Sequence, residues 1–129
     1  MRNNLLSEKL LYTGSRTTPT HLQLCSYSAT ELEEAEGKTF TSISKGIDSN
    51  RINWIKIWGL KDTEVIRDVC EHFEIDFLVL QDILFAQHPT KIEEHDNYLV
   101  CIMKLFDFDE TNRSGEMKMQ QLCLIQGPN

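Results

Sequence analysis

Hydrophobic and polar positions change period several times along the chain, and each change marks an element. Leu10 to Thr13 is a short apolar run ended by Gly14, and after a polar turn with Pro19 the segment His21 to Tyr27 alternates, with Leu22 and Leu24 on one side. Both read as strands, because side chains two apart share a face. Ser28 and Glu31 make the S-x-x-E pair of a capping box, which predicts a short acidic helix running to Glu36 and stopping at Gly37. Residues 38–51 carry Thr, Ser, Gly and Asn around isolated apolar positions and read as a loop or weak edge strand. Ile52 to Trp58, INWIKIW, is β-branched and aromatic and ends at Gly59, as a strand entering a turn does; Trp54 and Trp58 read as core.

Helical spacing follows. Asp62 or Thr63 caps a helix on which Val65, Ile66, Val69, Cys70 and Phe73 fall along one stripe. After a break at Ile75, Asp76 caps a second helix from Phe77 to about Phe85, apolar all round except for Gln81 and Asp82, which mark its exposed strip. Pro89 ends any helix there. Tyr98 to Phe106, YLVCIMKLF, is apolar on both strand faces apart from Lys104 and reads as a central strand, with Met117 to Ile125 returning beside it. The DFDETNRSGE turn between them imitates a calcium loop at Asp107 and Asp109. That match fails, because Asn112 stands where glycine is needed and Lys118 where glutamate is needed. Together these elements predict a mixed α and β domain.

Composition narrows the possible functions. A chain of 129 residues with 40% apolar content is expected to be one domain, residues 1–129. Its longest apolar runs, Phe77 to Leu80 and Tyr98 to Met103, fall far short of the roughly 18–20 residues that span a bilayer. The start MRNNLLSEKLLYTG lacks the continuous apolar core of a signal peptide, so a cytoplasmic, reducing setting is expected. A formal charge of -7, with no run among the 13 basic residues, argues against nucleic acid and suits cations. Cys25, Cys70, Cys101 and Cys123 lack metal-ligand spacing and read as buried thiols. Cys70 and His72 are two apart on a helix and turned about 200° from each other, so they cannot clamp one ion. The acidic residues Glu31, Glu33, Glu34 and Glu36, and Glu93, Glu94 and Asp96, read as solvated faces. No nucleophile elbow, phosphate-cradling loop or H-E-x-x-H motif is present, and an enzyme is not expected.

One stretch adds a resemblance. LLYTG at Leu10 to Gly14, WIKIWGL at Trp54 to Leu60, and above all HFEIDFLVLQDIL, followed by Gln87, Pro89, Lys91, Glu93, Tyr98 and the strand ending at Lys104-Leu105, resemble in order and spacing the N-terminal part of the CorA-type magnesium and cobalt transporters. The chain departs from that pattern at three points: Phe77 in place of the usual proline, Gln81 in place of glutamate, and His88 before Pro89 in place of arginine.

The resemblance implies an α/β fold, a mixed β-sheet flanked by helices as an α/β/α sandwich, truncated before the long pore-forming helices. It implies a cytoplasmic ion-sensing domain of a divalent cation (Mg2+ or Co2+) transporter. The partners it implies are identical subunits in a homopentamer, and contact with the membrane only through C-terminal helices. Asp82 matches the position that holds a regulatory Mg2+ between subunits, with Gln81 a weaker candidate. The alternative is a free-standing cytosolic protein-interaction module without catalytic activity.

Overall fold

The computed structural model describes residues 10–108 and 117–128. These fall into two compact units, one ending at Phe85 and the other running from Ala86 to Pro128. The chain has an α/β composition, and every strand pair among the described residues is antiparallel. The turn expected between the last two strands lies mostly outside the described residues, at 109–116.

The first unit is built on strand β1 (His21–Tyr27). Strands β2 (Leu32–Gly37) and β3 (Ile52–Trp58) flank it in the order β2-β1-β3. The alternation of β1 gives one face to the core: Leu22, Leu24 and Ser26 are buried. Helices α1 (Phe40–Ser44) and α2 (Thr63–His72) belong to that core through Ile43, Val65 and Val69, with Ala35, Phe40, Ile47, Ile55 and Ile57 packed around them. Helix α3 (Phe77–Leu84) follows α2 and buries Val79, Leu80, Ile83 and Leu84. The Leu10 to Thr13 segment is not a strand. Its backbone instead donates from the Thr13 N–H to the Leu84 carbonyl, 3.1 Å away.

The acidic helix expected from Ser28 is strand β2, and the reason lies in the same serine. Ser28 Oγ accepts from the backbone N–H groups of Thr30 and Glu31, at 3.3 and 3.2 Å, as a helix cap would. The Ser28 N–H, however, donates to the Glu31 carbonyl at 2.9 Å and closes a tight turn, so the chain reverses onto β1 instead of coiling. Pairing with β1 then outweighs the helix propensity of Glu, Leu and Ala, and it sends Leu32 and Ala35, which a helix would hold on one side, to opposite faces of the strand.

Residues 38–51, expected as a loop, contain α1. Phe40, Ile43 and Ile47 recur at helical spacing, and Ile43 is fully buried. The turn into β3 is held by Asn53. Its Oδ1 accepts from Ser26 Oγ (2.9 Å) and the Asp48 N–H (3.2 Å), while its Nδ2 donates to the Asp48 and Arg51 carbonyls at 2.8 and 3.2 Å. Arg51 adds a nearly buried guanidinium between Glu31, Glu33 and Asp48, which ties the β1–β2 turn to the start of β3.

Trp54 and Trp58 are not core: they are 47% and 46% exposed. On β3 the inward positions are Asn53, Ile55 and Ile57, so Lys56 and both tryptophans share the outer face. The strand ends as expected at Gly59, with φ +72, where a Cβ would collide with the carbonyl oxygens of Thr18 and Pro19. Thr20 Oγ1 fastens this corner, donating to the Gly59 carbonyl (2.7 Å) and accepting from the Asp62 N–H (3.1 Å).

The second unit is a sheet of order β4-β5-β6, with β4 (Lys91–Glu94), β5 (Leu99–Phe108) and β6 (Met117–Gln126). β5 is central, as its sequence predicts. Only one of its faces is closed: Val100 and Ile102 are fully buried, whereas Leu99 and Leu105 are exposed.

Helix α2 ends in a Schellman turn, in which the Ile75 N–H reaches the Cys70 carbonyl (2.8 Å) and the Glu74 N–H reaches that of Glu71 (3.2 Å). Glu74 occupies the left-handed position, φ +54, where glycine carries no steric cost. Glu74→Gly is therefore expected to raise stability by about 0.5–1 kcal/mol. A urea unfolding midpoint at or below that of the parent chain would contradict this.

Candidate functional site

Helix α3 carries the sequence-predicted site. Asp76 caps it, its Oδ1 accepting from the Leu78 N–H at 2.8 Å, and the four buried residues Val79, Leu80, Ile83 and Leu84 fix the helix by one side. A helix turns about 100° per residue, so Leu78, Gln81 and Phe85 come together on the opposite side. All three are exposed, Leu78 by 63%. Gln81 thus lies on the open strip as expected. Asp82 lies on its flank and is half-buried, because its direction falls between the strip and the buried Ile83.

The other ligand types are dispersed. Among the described residues no three His, Cys, Asp or Glu side chains gather closely enough to hold a metal ion. The cysteines are free thiols; Cys70 is buried and the other three are half-buried, a more open placement than their apolar surroundings predict. Burial pushes the Cys70 thiol up to about 11, aided by Glu71, so it stays protonated and is a poor metal ligand. Cys25 Sγ donates to Glu34 Oε1 at 3.4 Å, and that hydrogen bond raises its pKa too. Beside Tyr27, Ser28 and Asn50 lies a shallow depression whose only basic side chain, Arg51, is taken up by three carboxylates.

The acidic segment before β5 is more structured than a solvated turn. Lys91 Nζ donates to Glu93 Oε2 at 2.8 Å, and His95 Nε2 lies 2.6 Å from Glu93 Oε1, as an ion-pair contact rather than an aligned hydrogen bond. His95 also stacks on Tyr98, ring centroids 4.5 Å apart, and its N–H closes the turn on the Tyr98 carbonyl at 2.9 Å. Sequence reasoning missed this cluster, whose one signal is the alternation Lys91-x-Glu93-x-His95, running along one face of β4 and into the turn that follows it.

No protein-family model matches the chain. Over 120 residues, 93% of its length, it is 32% identical to the cobalt/magnesium transport protein CorA of Thermotoga maritima. It is a CorA-type segment. The CorA-type chain spans 34% of the length of that relative, about a third. No helix among its described residues is long and apolar enough to cross a membrane.

Glu93 gives the CorA-type segment an acid-sensitive contact. The hydrogen bond from Lys91 holds its carboxyl below the ordinary value of 4.5, with His95 adding to the effect. A carboxylate depressed in the folded state contributes stability above its unfolded pKa and loses it as pH falls through the folded value. Stability is thus expected to decline below about pH 4.5. Glu93→Gln should flatten part of that decline in acid unfolding followed by circular dichroism; identical acid profiles would refute the assignment.

Proposed function

We propose that the chain is the cytoplasmic, ion-responsive part of a divalent cation transporter of the CorA type and carries no catalytic activity of its own. The observation that carries this reading is the 32% identity, over 120 residues, to a protein named for cobalt and magnesium transport. In this reading, passage through the membrane belongs to polypeptide corresponding to the rest of that relative. The acidic charge of -7 favours cations over nucleic acid as partners.

Asp82 is the proposed regulatory ligand, with the Gln81 amide oxygen as a weaker neighbour. Magnesium keeps several waters and takes one or two protein carboxylates, so a sparse donor set is compatible with it. The chain supplies one such carboxylate on a well-anchored helix. In the proposed homopentamer a second comes from a neighbouring subunit. Cation binding between acidic subunits offsets their repulsion and favours the closed arrangement, because a ligand shifts a population only through differential affinity. Cobalt suits the same oxygen donors, which leaves the identity of the ion to other parts of the transporter.

Two measurements test this. In the full-length protein, Asp82→Ala is expected to leave the fold intact at a cost of about 1 kcal/mol or less and to weaken magnesium-dependent protection from protease. Equal protection at every magnesium concentration would remove Asp82 from the sensor. For the 129-residue chain alone, titration calorimetry with magnesium should be nearly flat until about 1 mM, since one carboxylate displaces little of the ion's water. A saturable site near 10 μM would mean a complete ion site elsewhere in the chain.

A further inference from the structure

Helix α3 is held at its two ends by different means. At its start the Schellman turn of α2 leads into it through Glu74, at φ +54, and Asp76 caps the Leu78 N–H. At its finish, where the last carbonyls of a helix lack partners within it, the Phe85 N–H closes on those of Gln81 and Asp82, at 3.1 and 3.3 Å. The Leu84 carbonyl is met from outside the helix, by the Thr13 N–H at 3.1 Å. Thr13 is exposed and lies in no helix or strand; Leu10, in the same segment, is 6% exposed and anchors it. The buried residues of α3 lie outside the cluster of Leu22, Leu24, Ile43, Val65 and Val69, so that core does not by itself fix the direction of the helix.

We infer that the segment from Leu10 to Thr13 is a latch on α3. With Thr13 bound to Leu84 the helix keeps its direction; with that bond open it swings about the turn at Glu74 and Ile75 and takes Asp82 with it. Element-terminal residues such as these are where a swing is absorbed, because few dihedrals need change. Asp82 sits near the latched end, about 9 Å beyond the Asp76 cap at about 1.5 Å per residue, so a swing of about 10° carries it about 1.5 Å. Magnesium holds its oxygens at about 2.0–2.1 Å in a strict octahedron, and a displacement of that size is enough to break coordination.

The first unit then has two states, one presenting the carboxylate and one withdrawing it, and the ion favours the latched state because it binds that state more tightly. This consequence for magnesium rests on the reading of Asp82 as the regulatory ligand. The latch itself does not.

Amide hydrogen exchange read by NMR on the 129-residue chain tests the latch with no metal present. The Thr13 amide, although its residue is exposed, should exchange at least about tenfold more slowly than in an unstructured peptide of the same sequence. Thr13→Pro removes the donor and should speed exchange from Gln81 to Phe85 about tenfold, while Val65 to Cys70 of α2 keep the parent rates. Thr13→Ser keeps both the N–H and the hydroxyl and should match the parent. An unprotected Thr13 amide in the parent chain would overturn the proposal whether or not the proline variant folds. So would a proline variant in which α3 is unchanged, or one in which α2 and α3 loosen together, the mark of general destabilisation. In the full-length protein, Thr13→Pro should raise the magnesium concentration for half-maximal protease protection about threefold or more, with Thr13→Ser unchanged. No shift with Thr13→Pro, where Asp82→Ala does weaken protection, would overturn the latch's control of the ion and leave the Asp82 reading standing. No effect of Asp82→Ala would sink that reading instead, and the exchange rates would still decide the latch.

Discussion

The first unit depends on the register of β1. Its even positions, Leu22, Leu24 and Ser26, are sealed from solvent, and its odd positions, His21, Gln23 and Cys25, are half-exposed. A slip of one residue would exchange these sets. It would expose two leucines, each worth about 1.5–3 kcal/mol when buried, and it would bury an imidazole and an amide with no partners built for them. The register is fixed by that difference. β2 and β3 inherit it from either side, which is why Ala35, Ile55 and Ile57 meet α1 and α2 on one face while the tryptophans face outward.

Much of this was legible in the chain. The alternation of His21 to Tyr27, the stripe of α2, the Asp76 cap and the central place of β5 each follow from a period and a punctuating residue. The failures share a cause. Ser28 makes the hydrogen bonds of a cap, but those bonds serve a helix start and a tight turn equally well; what separates the two is the β1 edge waiting to be paired, a tertiary fact. The abundant polar residues of 38–51 point to a loop, although Phe40, Ile43 and Ile47 already have helical spacing. Residue type alone points the tryptophans inward, although Lys56 shares their parity and points to solvent.

The candidate site was legible in position and not in role. Apolar periodicity alone separates Gln81 and Asp82 from the rest of α3, and the helix bears this out for Gln81. It places Asp82 on the flank because Leu78 and Phe85, both large and apolar, take the open side with Gln81. Nothing in spacing distinguishes a regulatory carboxylate from one that keeps a helix wet. That distinction came from the LVLQDIL resemblance, and the CorA relationship supports the family rather than the ligand.

A sparse donor set is consistent with the function proposed for it. A sensor must release its ion as cellular concentration falls, so its affinity has to stay near that concentration and cannot come from a full cage of carboxylates. The switch can still be decisive if sites add. In the proposed homopentamer, moving the ring from about one-tenth to nine-tenths closed would require a change of about 80-fold in the equilibrium constant, and five equivalent sites would reach it if each bound the closed form only about 2.4-fold more tightly. So small a preference is within reach of one half-buried carboxylate per subunit set against a neighbour's, provided its direction is fixed. α3 meets that condition, with Asp76 holding its first turn and Val79, Leu80, Ile83 and Leu84 anchoring the helix from which Asp82 projects.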